Sequence, residues 1–308
     1  DDDWLTGYTG DQQTIETRET GAKPSTLLRL SEHLGTIAQT ADSNWVSELT
    51  EWTTDHKLSA VAYLACRFEY NTDVFTKFPT IQAVIKGRKV YDPRLDTTEG
   101  GSGSHRKDDP ATWEWSDNPS ACILDYMRNG VYDQVASPTI DDYGEQRVYG
   151  IGIRNEMIDF SSFVTASTEC NDSFTDGTYT LTNQYTLNGA VNVDNTPFDN
   201  LKEMLTSCRG MMIFSGGKYK LVIDRAETAE TFTFNEDNIV GGWSIALGGK
   251  RDLINRLRIN YIHEARNWQP DFMVVDNASF RAADNDLLLE MGVILPFTTD
   301  QQMAELIG

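Results

Sequence analysis

Two rhythms of apolar positions run along this chain. Leucines at 27, 28, 30 and 34, followed by Ile37, recur near helical spacing, with Ser25 at the start. That spacing predicts an amphipathic helix over 25–37. Trp45, Val46, Leu49 and Trp52 share one face of a second, shorter helix predicted over 42–53. Residues 1–24 are polar, carry Gly7, Gly10 and Gly21, and read as loops or short edge strands. From Leu58 to Tyr70 the rhythm moves toward alternation, which fits a strand with one buried face. Residues 75–91 supply two further β-rich runs, divided at Lys86-Gly87-Arg88, where Gly87 is expected to make a turn.

Residues 96–110 are rich in Gly and Ser and flanked by charge, so they read as a mobile loop. A phosphate-cradling loop is a poor alternative, since no Gly-Lys-Ser/Thr follows. The helix after it is well punctuated: Asn118 at the N-cap, Pro119 in the first turn, an apolar run over 121–127, and Gly130 as the stop. Another helix is predicted over 156–168, the two forming a helical hairpin. Tyr185 to Val193 reads as a strand. Thr196-Pro197 opens a helix that Gly210 closes, and residues 211–223 form a hairpin about Ser215-Gly216-Gly217-Lys218. Further strands are read at 231–235, 243–247, 253–262 and 271–275, and a helix begins within 298–307.

The fold class is therefore α+β. The predicted parts are an N-terminal β-rich part with short helices (1–98), a loop and helical insert (99–183), and a second β-rich domain cut short at its C-terminus (184–308).

Charge narrows the functional classes. Across 308 residues, 47 acids face 26 bases for a net −21. So acidic a chain lacks the clustered bases that bind nucleic acid or anionic lipid. No apolar run reaches the length of a membrane span. The start, Asp1-Asp2-Asp3-Trp4, has neither a basic nor an apolar stretch, so no signal peptide is read there, and without an initiator Met the chain reads as a fragment or processed product. The cysteines at 66, 122, 170 and 208 form no zinc spacing and read as buried free thiols. The four histidines (33, 56, 105, 263) have no evident partner in sequence.

Catalytic patterns are weak. Glu114, Asp117, Asp125, Asp141 and Asp142 offer carboxylate pairs of the kind a glycosidase uses, but acids this abundant give many accidental pairs. The segment 150–155 lacks the third glycine of a dinucleotide fingerprint, and no G-x-S-x-G is present. The acidic runs Asp194-Asn195…Asp199 and Asp284-Asn285-Asp286…Glu290 lack the pattern of a calcium loop and read as solvated turns. No catalytic residue, cofactor or metal is assigned.

Two stretches carry more information: IKGRKVYDPR (85–94) and WEWSDNPSACILDYM (113–127). Pro93 fixes φ and removes a donor, so Tyr91 to Arg94 should end a strand and turn the chain. Arg94 should pair with Asp92 or bond carbonyls at that strand end. Trp113 and Trp115 alternate and are expected to face one core; a sugar-binding platform is the other reading. In this order, with RVYGIGI at 147–153, the stretches resemble the phage tail-tip attachment family, which includes the host-specificity protein of lambda-like tails. Residues 185–223 resemble that family's next hub domain, and the likeness runs from about residue 55 to the end.

The motif positions are Gly87, Lys89, Val90, Asp92, Pro93, Arg94, Trp115, Asn118, Pro119, Gly150 and Gly152. The resemblance implies a structural, non-enzymatic homotrimer at the distal end of the virion's tail. Its partners would be the distal tail ring, the tape-measure protein and tail fibres or receptor-binding proteins. DNA would meet it only in transit, and this segment would not insert into a membrane. A peptidoglycan hydrolase of the tail is the alternative. Family members are longer, so host recognition is expected elsewhere.

Overall fold

The computed structural model describes residues 12–17, 25–36, 38–59, 61–70, 77, 81, 83–129, 150–177, 179–225, 232–239, 241–242, 244 and 253–308. The described residues before 86 form one compact unit and those from 86 onward another. The described residues thus divide between 85 and 86. Helix (27%) and strand (26%) are nearly equal, and among the described residues one strand pair, described below, is parallel, so the class is α+β.

In the smaller unit, β1 (Gln12–Thr17), β2 (Ser25–Leu34) and β3 (Ala62–Phe68) make an antiparallel sheet in that order. The helix predicted over 25–37 is therefore a strand. Leu28, Leu30 and Leu34 fit both periods, and pairing on both edges decides between them: Leu28 lies opposite Ile15 on one side and Phe68 on the other. The second predicted helix forms over a shorter span as α1 (Ser43–Glu48), capped by Asp42, whose carboxylate accepts from Trp45 N at 2.9 Å.

In the larger unit, β4 (Lys89–Val90) pairs with β5 (Glu114–Trp115). The helix α2 (Pro119–Arg128) is buried at every position but Cys122, so it is a central helix and not an amphipathic surface one. Around it lie α3 (Phe160–Cys170), the short β6–β7 pair (Phe174–Thr175 and Thr180–Leu181) and α4 (Pro197–Thr206). A hairpin follows, β8 (Gly210–Ser215) and β9 (Lys218–Ile223). Tyr91, Ile123, Leu124, Met127, Phe163, Leu201 and Leu221 share this one core. Side chains from 119–128, 160–170 and 197–223 thus pack into one cluster.

A three-stranded sheet closes the chain: β10 (Arg256–His263) lies between antiparallel β11 (Gln269–Asp276) and parallel β12 (Glu290–Leu295). α5 (Ala278–Ala283) precedes β12, and α6 (Gln301–Ile307) ends the chain. Met303 of α6 enters the main core, while Ala304 packs on Ile259, Tyr261 and Leu295.

Several expectations change. Residues 185–193 form no strand; Tyr185 and Leu187 are buried, whereas Val193 is exposed. Amides of this run bond outward to different elements: Tyr185 N to Cys170 O, Leu187 N to Asp117 O and Asn188 N to Phe297 O. Of the two β runs over 75–91, Lys89–Val90 alone is strand among the described residues, and no turn forms at Gly87. The hairpin turn forms as read, with Gly216 and Gly217 at φ +63° and +79°. The left-handed residue after α4 is Arg209, φ +53°, and not Gly210, which begins β8. No strand forms over 232–235. Residues 1–11, Gly130, the 147–149 part of the later motif, Asp141, Asp142 and most of 243–247 lie outside the described residues.

Candidate functional site

The two signature stretches, 85–94 and 113–127, meet on one atom. Asp92 lies just after β4 and caps a 3-10 turn at Pro93–Leu95, accepting from Arg94 N at 3.0 Å. The Arg94 guanidinium grips the same carboxylate, with Nη2 to Oδ2 at 2.6 Å and Nε to both oxygens at 3.1 Å. Its Nη1 then donates to the Ser167 carbonyl of α3 at 3.1 Å. Asn118, capping α2 through Ser120 N and Ala121 N, turns its own Nδ2 to that same carbonyl at 2.9 Å and to Asn171 Oδ1 at 2.7 Å. Arg94 pairs with Asp92 as read, but the carbonyl it bonds belongs to α3 and not to the strand end. Ser167 lies in the last turn of α3, where carbonyls lack helical partners, so two donors from distant motifs supply what that helix end needs.

The glycines act through close approach. A Cβ on Gly150 would overlap Tyr126 O and stand 2.7 Å from Asn129 O, at the C-terminal end of α2. With no side chain there, Ile151 N reaches Tyr126 O at 3.0 Å and Ile153 N reaches Met127 O at 2.7 Å. Gly152, φ +78°, gives the bend between them. Gly87, by contrast, stands in open space. Val90 and Pro93 are buried and Lys89 is exposed. The two tryptophans do not share a core. Trp113 is buried near Tyr91 and donates Nε1 to Arg106 O at 2.8 Å. Trp115 is 38% exposed, with Lys86 Nζ 4.9 Å above its ring.

The loop expected to be mobile is a folded element. Asp96, fully buried, accepts from Tyr91 OH (2.8 Å), Thr98 N (2.8 Å), Thr98 Oγ1 (2.7 Å) and Arg106 Nη1 (3.2 Å). Burial alone would push this carboxyl up, but the Thr98 and Tyr91 hydrogen bonds and the Arg106 charge outweigh it and hold it below the ordinary range. The glycines that suggested flexibility permit backbone contact: a Cβ on Gly101 would strike Arg94 O, and one on Gly103 would stand 2.5 Å from Leu95 O.

Arg128 is a buried, bonded position that sequence reading missed. Its guanidinium lies in the core, 5.1 Å from the Tyr91 ring and 5.9 Å from those of Trp113 and Phe160. Nε donates to Asn155 Oδ1 at 2.9 Å and Nη2 to Lys107 O at 2.7 Å. A basic residue in a last helical turn looks like dipole compensation, and nothing local distinguishes it.

Two histidines do have acidic partners, correcting the expectation of scattered, unpartnered imidazoles. His33 Nε2 meets Asp42 Oδ2 at 3.0 Å, and His263 Nδ1 meets Asp271 Oδ2 at 3.0 Å. The partners lie on neighbouring elements, nine and eight residues away, so tertiary packing creates both pairs. Among the described residues, no serine or cysteine is hydrogen-bonded to either ring. Of the acids weighed as catalytic, Asp125 is buried and paired with Arg88 Nε at 3.4 Å. The acidic runs serve local structure: Asp199 Oδ2 accepts from Thr196 Oγ1 at the start of α4, and Asp284 Oδ2 from Asn255 Nδ2. Among the described residues, no group of three or more His, Cys, Asp or Glu is placed to hold a metal ion, and no helix is long and apolar enough to cross a membrane.

All four cysteines are free thiols, with Cys170 and Cys208 buried and Cys66 and Cys122 partly so. Burial, with Asp125 and Asp117 nearby, pushes the Cys122 thiol up to about 12, which keeps it protonated and unreactive. No protein-family model matches this sequence, and no curated protein matches it.

Proposed function

We propose that this chain is a structural subunit of a bacteriophage tail tip, a baseplate-hub or tip attachment protein. It forms a homotrimer at the distal end of the tail and joins the distal ring and tape-measure protein to host-contacting fibres. What supports this reading most is the convergence on the Ser167 carbonyl. The stretches that resemble the family's signatures, 85–94 and 113–127, put Asp92, Arg94 and Asn118 into one frame of strand end, helix cap and helix terminus. A family marked by such residues is marked by architecture, as a mechanical part is. The net charge of −21 suits a channel through which DNA passes without adhering, because like charge removes the phosphate contacts that would retard it.

The test is assembly. Purified chain should have a solution mass three times its 34.6 kDa and three-fold rotational symmetry in images. A monomer at every concentration, without symmetry, would overturn the reading. Lysis in a peptidoglycan zymogram, lost on changing a single acid, would replace it with the hydrolase alternative.

A further inference from the structure

The hairpin β8–β9 has one covered edge and one open edge, and the register shows which backbone groups each presents. Opposed residues in an antiparallel pair alternate between bonded and non-bonded positions. The two-residue turn makes Ser215–Lys218 a bonded pair, and therefore Ile213–Lys220 and Met211–Val222 as well. Tyr219 and Leu221 of β9 then point their N–H and C=O groups outward. Both are used: Tyr219 O accepts from Asp159 N at 3.0 Å, and Leu221 N donates to Ser162 Oγ at 3.1 Å. On β8 the outward groups belong to Gly210, Met212 and Phe214, and no hydrogen bond to them forms among the described residues.

This open edge has none of the usual protections. Gly210 to Ser215 contains no charge and no proline, and Met211, Ile213 and Phe214 are 49%, 43% and 56% exposed. Its charge setting is also unlike the rest of the chain. From Met204 to Ile223 there is no acid, while Arg209, Lys218 and Lys220 are basic, in a protein with 47 acids. Arg209 and Lys220 are paired with Asp224 and Asp159, and Lys218 at the turn makes no ion pair among the described residues. A second copy of this edge would bring more positive charge and no acid.

We infer that β8 is an acceptor edge for strand addition: an extended, apolar and acidic segment of a partner protein pairs with Met212 and Phe214. Its alternate side chains pack beside Met211 and Ile213, and an acid meets Lys218. The inference does not depend on the tail-tip reading.

The test uses the full chain and a blocked peptide of about six residues alternating valine with glutamate. Two further peptides serve as controls, one N-methylated on every amide, which leaves neither edge able to pair, and one with lysine for glutamate. Backbone amide exchange is followed at Met212 and Phe214. At saturating Val/Glu peptide these two amides should exchange about tenfold more slowly. The N-methylated peptide should protect neither, the lysine peptide should bind more weakly, and Ile213→Asp, which puts an acid on an exposed position of the edge, should weaken binding of the Val/Glu peptide. Absence of protection at the two amides would overturn the inference, as would equal protection by the N-methylated peptide. Protection that rises with protein concentration alone would overturn it too, in favour of pairing between copies.

Discussion

Asp96 in the larger unit and Asp42 in the smaller are both buried carboxylates held below the ordinary aspartate range, yet they organise their surroundings differently. Asp96 takes four hydrogen bonds from Tyr91, Thr98 and Arg106, all within the stretch it folds. Asp42 joins separate elements: it caps α1 through Trp45 N and binds His33 of β2, whose ring stacks on Tyr63 of β3 at 4.3 Å. Burial is the largest influence on both and acts upward. Thr98, Tyr91 and Arg106 overcome it at Asp96, and His33, Trp45 and Ser31 at Asp42. One carboxylate turns a loop into a structure; the other ties a helix to a sheet.

The comparison breaks most visibly at Asp96. Asp96→Ala strands a buried Tyr91 hydroxyl and the Thr98 donors at once, and should cost about 3 kcal/mol in urea unfolding. Arg106→Ala should cost less than about 1 kcal/mol, because that side chain is 43% exposed and its charge is screened. If Asp96→Ala costs no more than Arg106→Ala, backbone contacts hold the loop and the carboxylate only fills space.

Those backbone contacts can be tested separately. Gly101→Ala puts a methyl against Arg94 O, so the loop must shift and stability should fall by more than about 1 kcal/mol. The same change at Gly100, φ +89° with open space around it, should cost about 1 kcal/mol from backbone strain alone. Equal costs at the two positions would mean that close approach is not what fastens the segment.

Asp42→Ala removes a cap and a histidine partner from an element of only six residues, and should cost about 1–2 kcal/mol. His33→Phe keeps a ring on Tyr63 while removing Nε2, so it should cost less. If it costs as much as Asp42→Ala, the imidazole contact and not the cap is what anchors α1.

The two sites also mark what sequence can and cannot disclose. Local chemistry was legible: Asn118-Pro119 and Thr196-Pro197 open helices as their side chains predict, and Gly216-Gly217 turns the hairpin. Asp42 stood at the edge of a predicted helix, and its capping role needs only the next three residues. Partners distant in sequence were not legible. Leu28, Leu30 and Leu34 fit a helix until β1 and β3 flank them, and the glycines at 101 and 103 signal flexibility until Arg94 and Leu95 are seen beneath them. The Ser167 carbonyl carries no side-chain signal, so nothing local shows that Arg94 and Asn118 share it.

The smallest expected effect isolates the charge from the hydrogen bonds. Both carboxyls lie below the 3.8 of an ordinary aspartate when folded, so between the folded and unfolded values the unfolded chain binds more protons. Their contribution to stability is therefore fully present above that ordinary value and is lost as pH falls through the folded values below it. Asp96→Asn and Asp42→Asn should each make the acid limb of the urea midpoint shallower, by less than about 1.4 kcal/mol per pH unit, the limit for one proton. The slope reports proton binding alone, whereas the Ala cost also includes the neutral donors that Asp96 collects in number, so the two measurements separate charge from hydrogen bonding. An unchanged slope for Asp96→Asn would mean that this carboxyl gains nothing from being ionised, and its difference from Asp42 would then be geometry alone.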